Sequence, residues 1–126
     1  MPITVLLVDD APDVLETYSF MLETIGYQTI CVNSGFKALE IMESESVDLL
    51  LTDIAMPDMD GYELYGKTRD LFPHIPIIMM TGFGYDPNHT IVKARKNGLR
   101  KVIFKPFDME QIQEAIQSSL AKAKDD

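Results

Sequence analysis

Val47-Asp48-Leu49-Leu50-Leu51-Thr52-Asp53 is apolar through three consecutive leucines and then stops on a carboxylate. A run with no polar face predicts a strand, over 47–52, covered on both sides. Parallel sheets roofed by helices supply such strands. Val5-Leu6-Leu7-Val8 and Ile77-Ile78-Met79-Met80 have the same character. With Gln28–Val32 and Val102–Phe104 they predict strands over 3–8, 28–32, 47–52, 77–80 and 102–104.

Between the strands, apolar residues recur at three- and four-residue steps, the period of an amphipathic helix. Val14, Leu15, Tyr18, Met21, Leu22 and Ile25 form the first set, closed by Gly26 as a C-cap. Ser34 can cap a second through Phe36, Ala38, Leu39 and Met42. Asp60-Gly61 opens a third through Leu64, Tyr65 and Leu71, and Asn88 a fourth that stops at Asn97-Gly98. Asp108, with Gln111 three residues on, resembles a capping box ahead of Ile112, Ala115, Ile116 and Leu120. Alternating strands and helices in 126 residues predict one α/β domain over 1–126, doubly wound around a parallel sheet, with a frayed tail at 122–126.

Composition removes several function classes. The net charge of −9 repels DNA and anionic membranes. No apolar run approaches the roughly 20 residues of a membrane span. Asp9-Asp10 follow too soon after the N-terminus for a signal peptide, which points to the cytoplasm. Cys31, in an apolar stretch, reads as a buried free thiol. Six of the 11 basic residues (Lys93, Arg95, Lys96, Arg100, Lys101, Lys105) fall between Pro87 and Phe107, where no acid occurs. Such a stretch reads as a solvated helix face and turn, or as a surface for a partner. His74 and His89 read as solvated side chains.

Open parallel sheets bind ligands beyond the carboxyl ends of their strands. At those ends stand Asp9 and Asp10, Asp53, Thr81 and Lys105. Under the strand order 2-1-3-4-5 the first and third strands adjoin, and these residues meet in one crevice. Three carboxylates repel one another unless a cation lies among them. All-oxygen ligands of net negative charge suit Mg2+, which leaves positions open for phosphate oxygens. Lys105 adds a second positive charge and Thr81 a hydroxyl donor. That set neutralises charge during phosphoryl transfer, and Asp53 is the best-placed nucleophile. Each residue alone is ordinary: acids near helix starts are usually caps, and a threonine before glycine is usually part of a turn.

Val8-Asp9-Asp10, Asp53-Ile54-Ala55-Met56-Pro57-Asp58-Met59-Asp60-Gly61, Met80-Thr81-Gly82 and Lys105-Pro106-Phe107 together resemble the receiver domains of two-component response regulators, the chemotaxis regulators among them. The resemblance covers essentially the whole chain. It implies the flavodoxin-like five-stranded sandwich of order 2-1-3-4-5. It implies a signalling switch, not an enzyme with a separate substrate, and Asp53 as phosphoacceptor. Asp10 would bind Mg2+ directly, Asp9 mainly through water, and the backbone carbonyl of Ala55 would complete the ligands beside Asp53. Thr81 and Lys105 would hold phosphoryl oxygens, and the Lys105–Pro106 bond would be cis. The implied partners are a sensor histidine kinase or phosphotransfer domain, an output partner of unread identity, and a second copy on phosphorylation. No nucleic acid or membrane is implied.

Val102 stands where many members carry a switch aromatic, three residues before the lysine. Phe83, Tyr85 or Phe104 could substitute, although Phe104 reads as ordinary core. Ala55 and Phe83, each two residues past a site residue, push phosphate lifetime in opposite directions. The rival readings are a degenerate receiver that docks without phosphorylation, an aspartate-nucleophile phosphohydrolase and an FMN binder. The intact five-residue set opposes the first. Ala55 stands where the second needs an acid, and Asp9-Asp10 would repel the phosphate of the third.

Overall fold

The computed structural model describes residues 2–56, 59–82 and 102–125, with side chains through 121. Five strands form one parallel sheet: β1 Thr4–Val8, β2 Gln28–Val32, β3 Leu49–Asp53, β4 Ile77–Thr81 and β5 Val102–Phe104. Their order is β2-β1-β3-β4-β5, the doubly wound flavodoxin-like arrangement. The described helices are α1 Pro12–Thr24, α2 Gly35–Ser44, α3 Gly61–Leu71 and α4 Met109–Asp125. The helix expected between Asn88 and Asn97 lies outside the described residues, as do His89 and most of the basic stretch. β3 and β4 each run one residue past the expected end, so Asp53 and Thr81 are themselves the last strand residues.

The continuous apolar runs are explained by two covered faces. Val5, Leu7, Leu49, Leu51, Ile78 and Met80 point to one side, against Tyr18 and Leu22 of α1 and Ile112, Ala115 and Ile116 of α4. Leu6, Val8 and Leu50 point to the other, against Ala38 and Met42 of α2, Leu64 of α3 and Met59. Leu6, Leu7, Leu49, Leu50 and Leu51 are fully buried, and truncating any of them to alanine would cost about 2–5 kcal/mol.

The helix ends follow local chemistry. Ser34 Oγ accepts the Lys37 N–H and Asp60 Oδ1 the Glu63 N–H. Asp108 and Gln111 exchange reciprocal side-chain-to-backbone bonds of 2.8 and 2.9 Å, the expected capping box. α1 stops at Gly26, whose φ of 100° is left-handed, while Gly26 N–H and Tyr27 N–H bond back to Glu23 and Leu22. α1 itself has no side-chain cap; Pro12 begins it, and both oxygens of Asp9 are engaged by the Ala11 N–H and Lys105.

Two expectations need correction. Cys31 is exposed, not buried. It lies on the edge strand β2, opposite Leu7 of β1, in a groove beside α1 lined by Leu15, Glu16, Ser19, Phe20 and Glu23. α1 packs along β2 and β1, with Ser19 Oγ 2.8 Å from Thr29 Oγ1, yet the groove between them leaves Cys31 open to solvent. Phe104 is 61% exposed instead of packed in the core. It is the final residue of the other edge strand, β5.

Candidate functional site

β1 and β3 are adjacent at the switch point of the sheet, and their carboxyl ends deliver the acidic residues side by side. Asp9 directly follows β1 and Asp53 ends β3. One carboxylate oxygen from each of Asp9, Asp10 and Asp53 lies within 4.8 Å of the others. β4 contributes Thr81 and the turn after β5 contributes Lys105, whose N–H donates to the Thr81 carbonyl at 2.7 Å. The peptide bond from Lys105 to Pro106 is cis, as expected. Asp9, Asp10, Asp53, Thr81 and Lys105 therefore converge. Ala55, two residues past Asp53, is exposed.

The carboxylates are not equivalent. Asp9 is 1% exposed and both its oxygens are engaged: Oδ1 accepts the Ala11 N–H at 3.0 Å and Oδ2 the Lys105 ammonium at 3.1 Å. Asp53 is 6% exposed; its Oδ1 accepts the Ile54 N–H at 2.9 Å and lies 3.3 Å from Lys105 Nζ. Among the described residues no donor reaches Asp53 Oδ2. Asp10 is exposed. Thr81 is buried and its Oγ1 has no hydrogen-bond partner among the described residues. An orphaned buried hydroxyl is costly and uncommon. Here it lies at the carboxyl end of β4.

Burial, then the charge of Asp9, pushes the Asp53 carboxyl above the usual carboxylate range; Lys105 and the Ile54 N–H pull it back only in part. Burial alone would lower the Lys105 ammonium, but the charges and hydrogen bonds of Asp53 and Asp9 outweigh it and hold its pKa above the ordinary value. Among the described residues, three clustered carboxylates thus have one ammonium, which pairs with Asp9 and Asp53. That excess negative charge, the all-oxygen donor set and the unshared oxygens of Asp10 and Asp53 fit a hard divalent cation such as Mg2+.

Two supports of the site were not visible in the sequence. A Cβ at Gly61 would fall against the Asp53 carbonyl oxygen and 2.8 Å from Ile54 Cα, so the first residue of α3 must be glycine for the helix to approach the strand end. The Tyr18 and Phe107 rings stack with centroids 4.1 Å apart, tying α1 to the turn after Lys105. Aspartate-glycine at 60–61 signalled a helix start, and the ring at 18 signalled a core face. Neither pattern names its partner across the fold.

The family of the response regulator receiver domain matches residues 5–117. The transcriptional regulatory protein GlrR of Escherichia coli K12 is 32% identical over 122 residues, 97% of this chain and 27% of the regulator. The response regulator protein FleR of Pseudomonas aeruginosa is 34% identical over 108 residues, 86% of this chain and 22% of that protein. The chain thus spans about a quarter of the length of these relatives. Among solved structures, a CheY-like response regulator receiver domain protein from Methanospirillum hungatei JF-1 superposes with a TM-score of 0.91 at 30% identity, covering 99% of this chain and 98% of its own. A receiver domain protein from Clostridium thermocellum gives 0.88 at 26% identity, with 97% of each chain covered. The match over residues 5–117, the strand order and the acid-lysine crevice lead to one conclusion: this chain belongs to the response regulator receiver domain family of two-component signalling.

Proposed function

We propose that the chain, over residues 1–126, is a phosphorylation-driven switch in which Asp53 takes a phosphoryl group from the phosphohistidine of a sensor kinase or phosphotransfer domain. The observation that carries this is the Asp53 carboxylate. It is buried and held through Oδ1 by Ile54 and Lys105, while among the described residues neither its Oδ2 nor the buried Thr81 hydroxyl at the neighbouring strand end has a hydrogen-bond partner. In the proposed step, Asp53 Oδ2 forms a bond to phosphorus while the phosphorus–nitrogen bond breaks. The electron pair leaves with the imidazole, which takes its proton from solvent. Lys105 would balance the transferred charge and Thr81 Oγ1 would donate to a phosphoryl oxygen. Asp10, Asp53 and the Ala55 carbonyl would hold Mg2+ directly, with Asp9 acting through water. Bound there, Mg2+ would supply a second positive charge to the crevice.

The transferred group brings about −1.5 to −2 charges and three acceptors. Drawing Thr81 toward it would move the chain that follows β4, and the basic stretch from Lys93 to Lys105 is the proposed docking face. Val102 packs beside Ile54, Tyr65 and Met79, so the relay would run without an aromatic at that position. We place the domain in the cytoplasm, free of membrane and nucleic acid; no described helix is long and apolar enough to cross a membrane. Association of two phosphorylated copies and an output partner belong to the same proposal.

Incubation with acetyl phosphate and Mg2+, followed by intact mass measurement, should add one phosphoryl group to the wild type and none to an Asp53→Ala variant. No increment in the wild type, with no Mg2+-dependent response to beryllofluoride, would leave a docking domain that is not phosphorylated. Charge reversal at both Arg95 and Lys101 should weaken partner binding; unchanged binding would refute the docking face.

A further inference from the structure

We infer that Tyr18 is a positioning residue for Lys105, acting through its stacked ring on Phe107; the inference rests on the phosphoryl-transfer reading above. Lysine has a long flexible stem, so its ammonium is only as well placed as the backbone that carries it. The turn Lys105–Phe107 is anchored at three places. Its first N–H bonds to Thr81 of β4, and its last residue runs into the Asp108–Gln111 box that starts α4. The third anchor is the Phe107 ring, 6% exposed, lying nearly parallel to the Tyr18 ring, 7% exposed, at 14° and 4.1 Å.

That third anchor is the one leading back to the acidic side of the crevice. Tyr18 lies on α1, which begins immediately after Asp9, Asp10 and Ala11, and the Ala11 N–H holds Asp9 Oδ1. The stack therefore joins the segment bearing Asp9 to the turn bearing Lys105. The 3.1 Å contact between their charges closes the loop at the other end. With the stack removed, the turn keeps its bonds to β4 and α4 but loses its lateral reference to α1. The ammonium then drifts relative to Asp9 and Asp53, and small displacements of a charge-balancing group are costly to rate.

The test is a cycle of phosphorylation rates with acetyl phosphate and Mg2+ for wild type, Tyr18→Ala, Lys105→Ala and the double variant, with Tyr18→Phe beside them. Tyr18→Ala should slow the reaction by about threefold to tenfold, the range of one aromatic pair, and Tyr18→Phe should restore it. In the Lys105→Ala background the Tyr18 change should have no further effect. The same slowing in both backgrounds, or a Tyr18→Phe protein as slow as Tyr18→Ala, would overturn the inference, because a merely structural ring acts independently of Lys105. If Tyr18→Ala does not fold, Tyr18→Leu keeps the bulk without the ring and replaces it. If Lys105→Ala reacts too slowly to follow, the 15Nζ resonance of Lys105 decides. It should shift in Tyr18→Ala and not in Tyr18→Phe; an unmoved resonance sinks the proposal. A wild type that takes up no phosphoryl group fails the phosphoryl-transfer reading itself, and the role of Tyr18 falls with it.

Discussion

Two glycines of α3 should respond oppositely to one substitution. Gly61 is the first residue of the helix, and an added methyl there would meet the Asp53 carbonyl oxygen and lie 2.8 Å from Ile54 Cα. Those are backbone atoms of β3, which cannot swing aside as a side chain would. Gly66, one and a half turns on, has nothing within 4 Å of the same position. Alanine gains up to about 1 kcal/mol over glycine in a helix interior, whereas overpacking typically costs about 1–3 kcal/mol. At Gly66 only the gain applies, so Gly66→Ala should stabilise by about 1 kcal/mol, or about 3–5 °C in Tm. At Gly61 the helix-start position has less to gain and the clash is with backbone, so Gly61→Ala should destabilise by about 2 kcal/mol. The strain falls on the peptide carrying Asp53, so phosphorylation by acetyl phosphate should slow in Gly61→Ala and hold in Gly66→Ala. Urea unfolding with unchanged m-values and the rate assay check both. Shifts of the same sign at the two sites would refute the close approach of α3 to β3.

Further outcomes concern the charges and the thiol. In metal-free protein, Asp53→Asn should raise stability at neutral pH, because burial and Asp9 make the ionised Asp53 unfavourable in the fold. The folded pKa lies above the ordinary 3.8, so the cost is absent below that value and grows as pH rises through the folded pKa; a stability gap between variant and wild type that does not widen from pH 4 to 7 would contradict this. Lys105→Met should cost about 3 kcal/mol without metal, since it strips the cation from Asp9 and Asp53. Mg2+ should then raise the Tm of that variant more than that of the wild type; equal increments would show that Lys105 does not offset the carboxylates. Cys31 should react with a thiol reagent in the native protein at a rate near that of the urea-unfolded chain, and strong protection would refute its exposure.

The central strands and the site were legible for the same reason. Leu49-Leu50-Leu51 and Val5-Leu6-Leu7-Val8 are apolar on both faces because helices cover both. The carboxylates follow those runs directly, so locating the strands also located the residues at their ends. The edge strands were not legible in this way. Thr29-Ile30-Cys31-Val32 reads as apolar, yet only Ile30 and Val32 pack onto the α2 side, and the margin next to Cys31 is open. Phe104 fails likewise on β5. Composition within a strand says how apolar it is, while position in the sheet decides how much is covered. The stack of Tyr18 on Phe107 and the contact forbidden at Gly61 are pairings across the fold between residues that look ordinary alone.

Position also separates the neighbouring acids Asp9 and Asp10. Successive residues leaving a strand face different ways, so Asp9 turns inward, nearly fully buried, and Asp10 outward. Burying a carboxylate is tolerable only if its oxygens are satisfied, and Asp9 meets that demand with the Ala11 N–H and Lys105. Its capacity is thereby used in holding the lysine, and under the proposed reading it would reach a cation only through water. Asp10, exposed and close to Asp53, keeps unshared oxygens, which under the proposed reading would coordinate the cation directly. The same logic bears on Lys105. One ammonium serves two carboxylates, so a charge brought onto Asp53 Oδ2 would arrive beside a cation that Asp9 already holds in place. Asp9 would thus contribute chiefly by keeping Lys105 where the transferred charge lands.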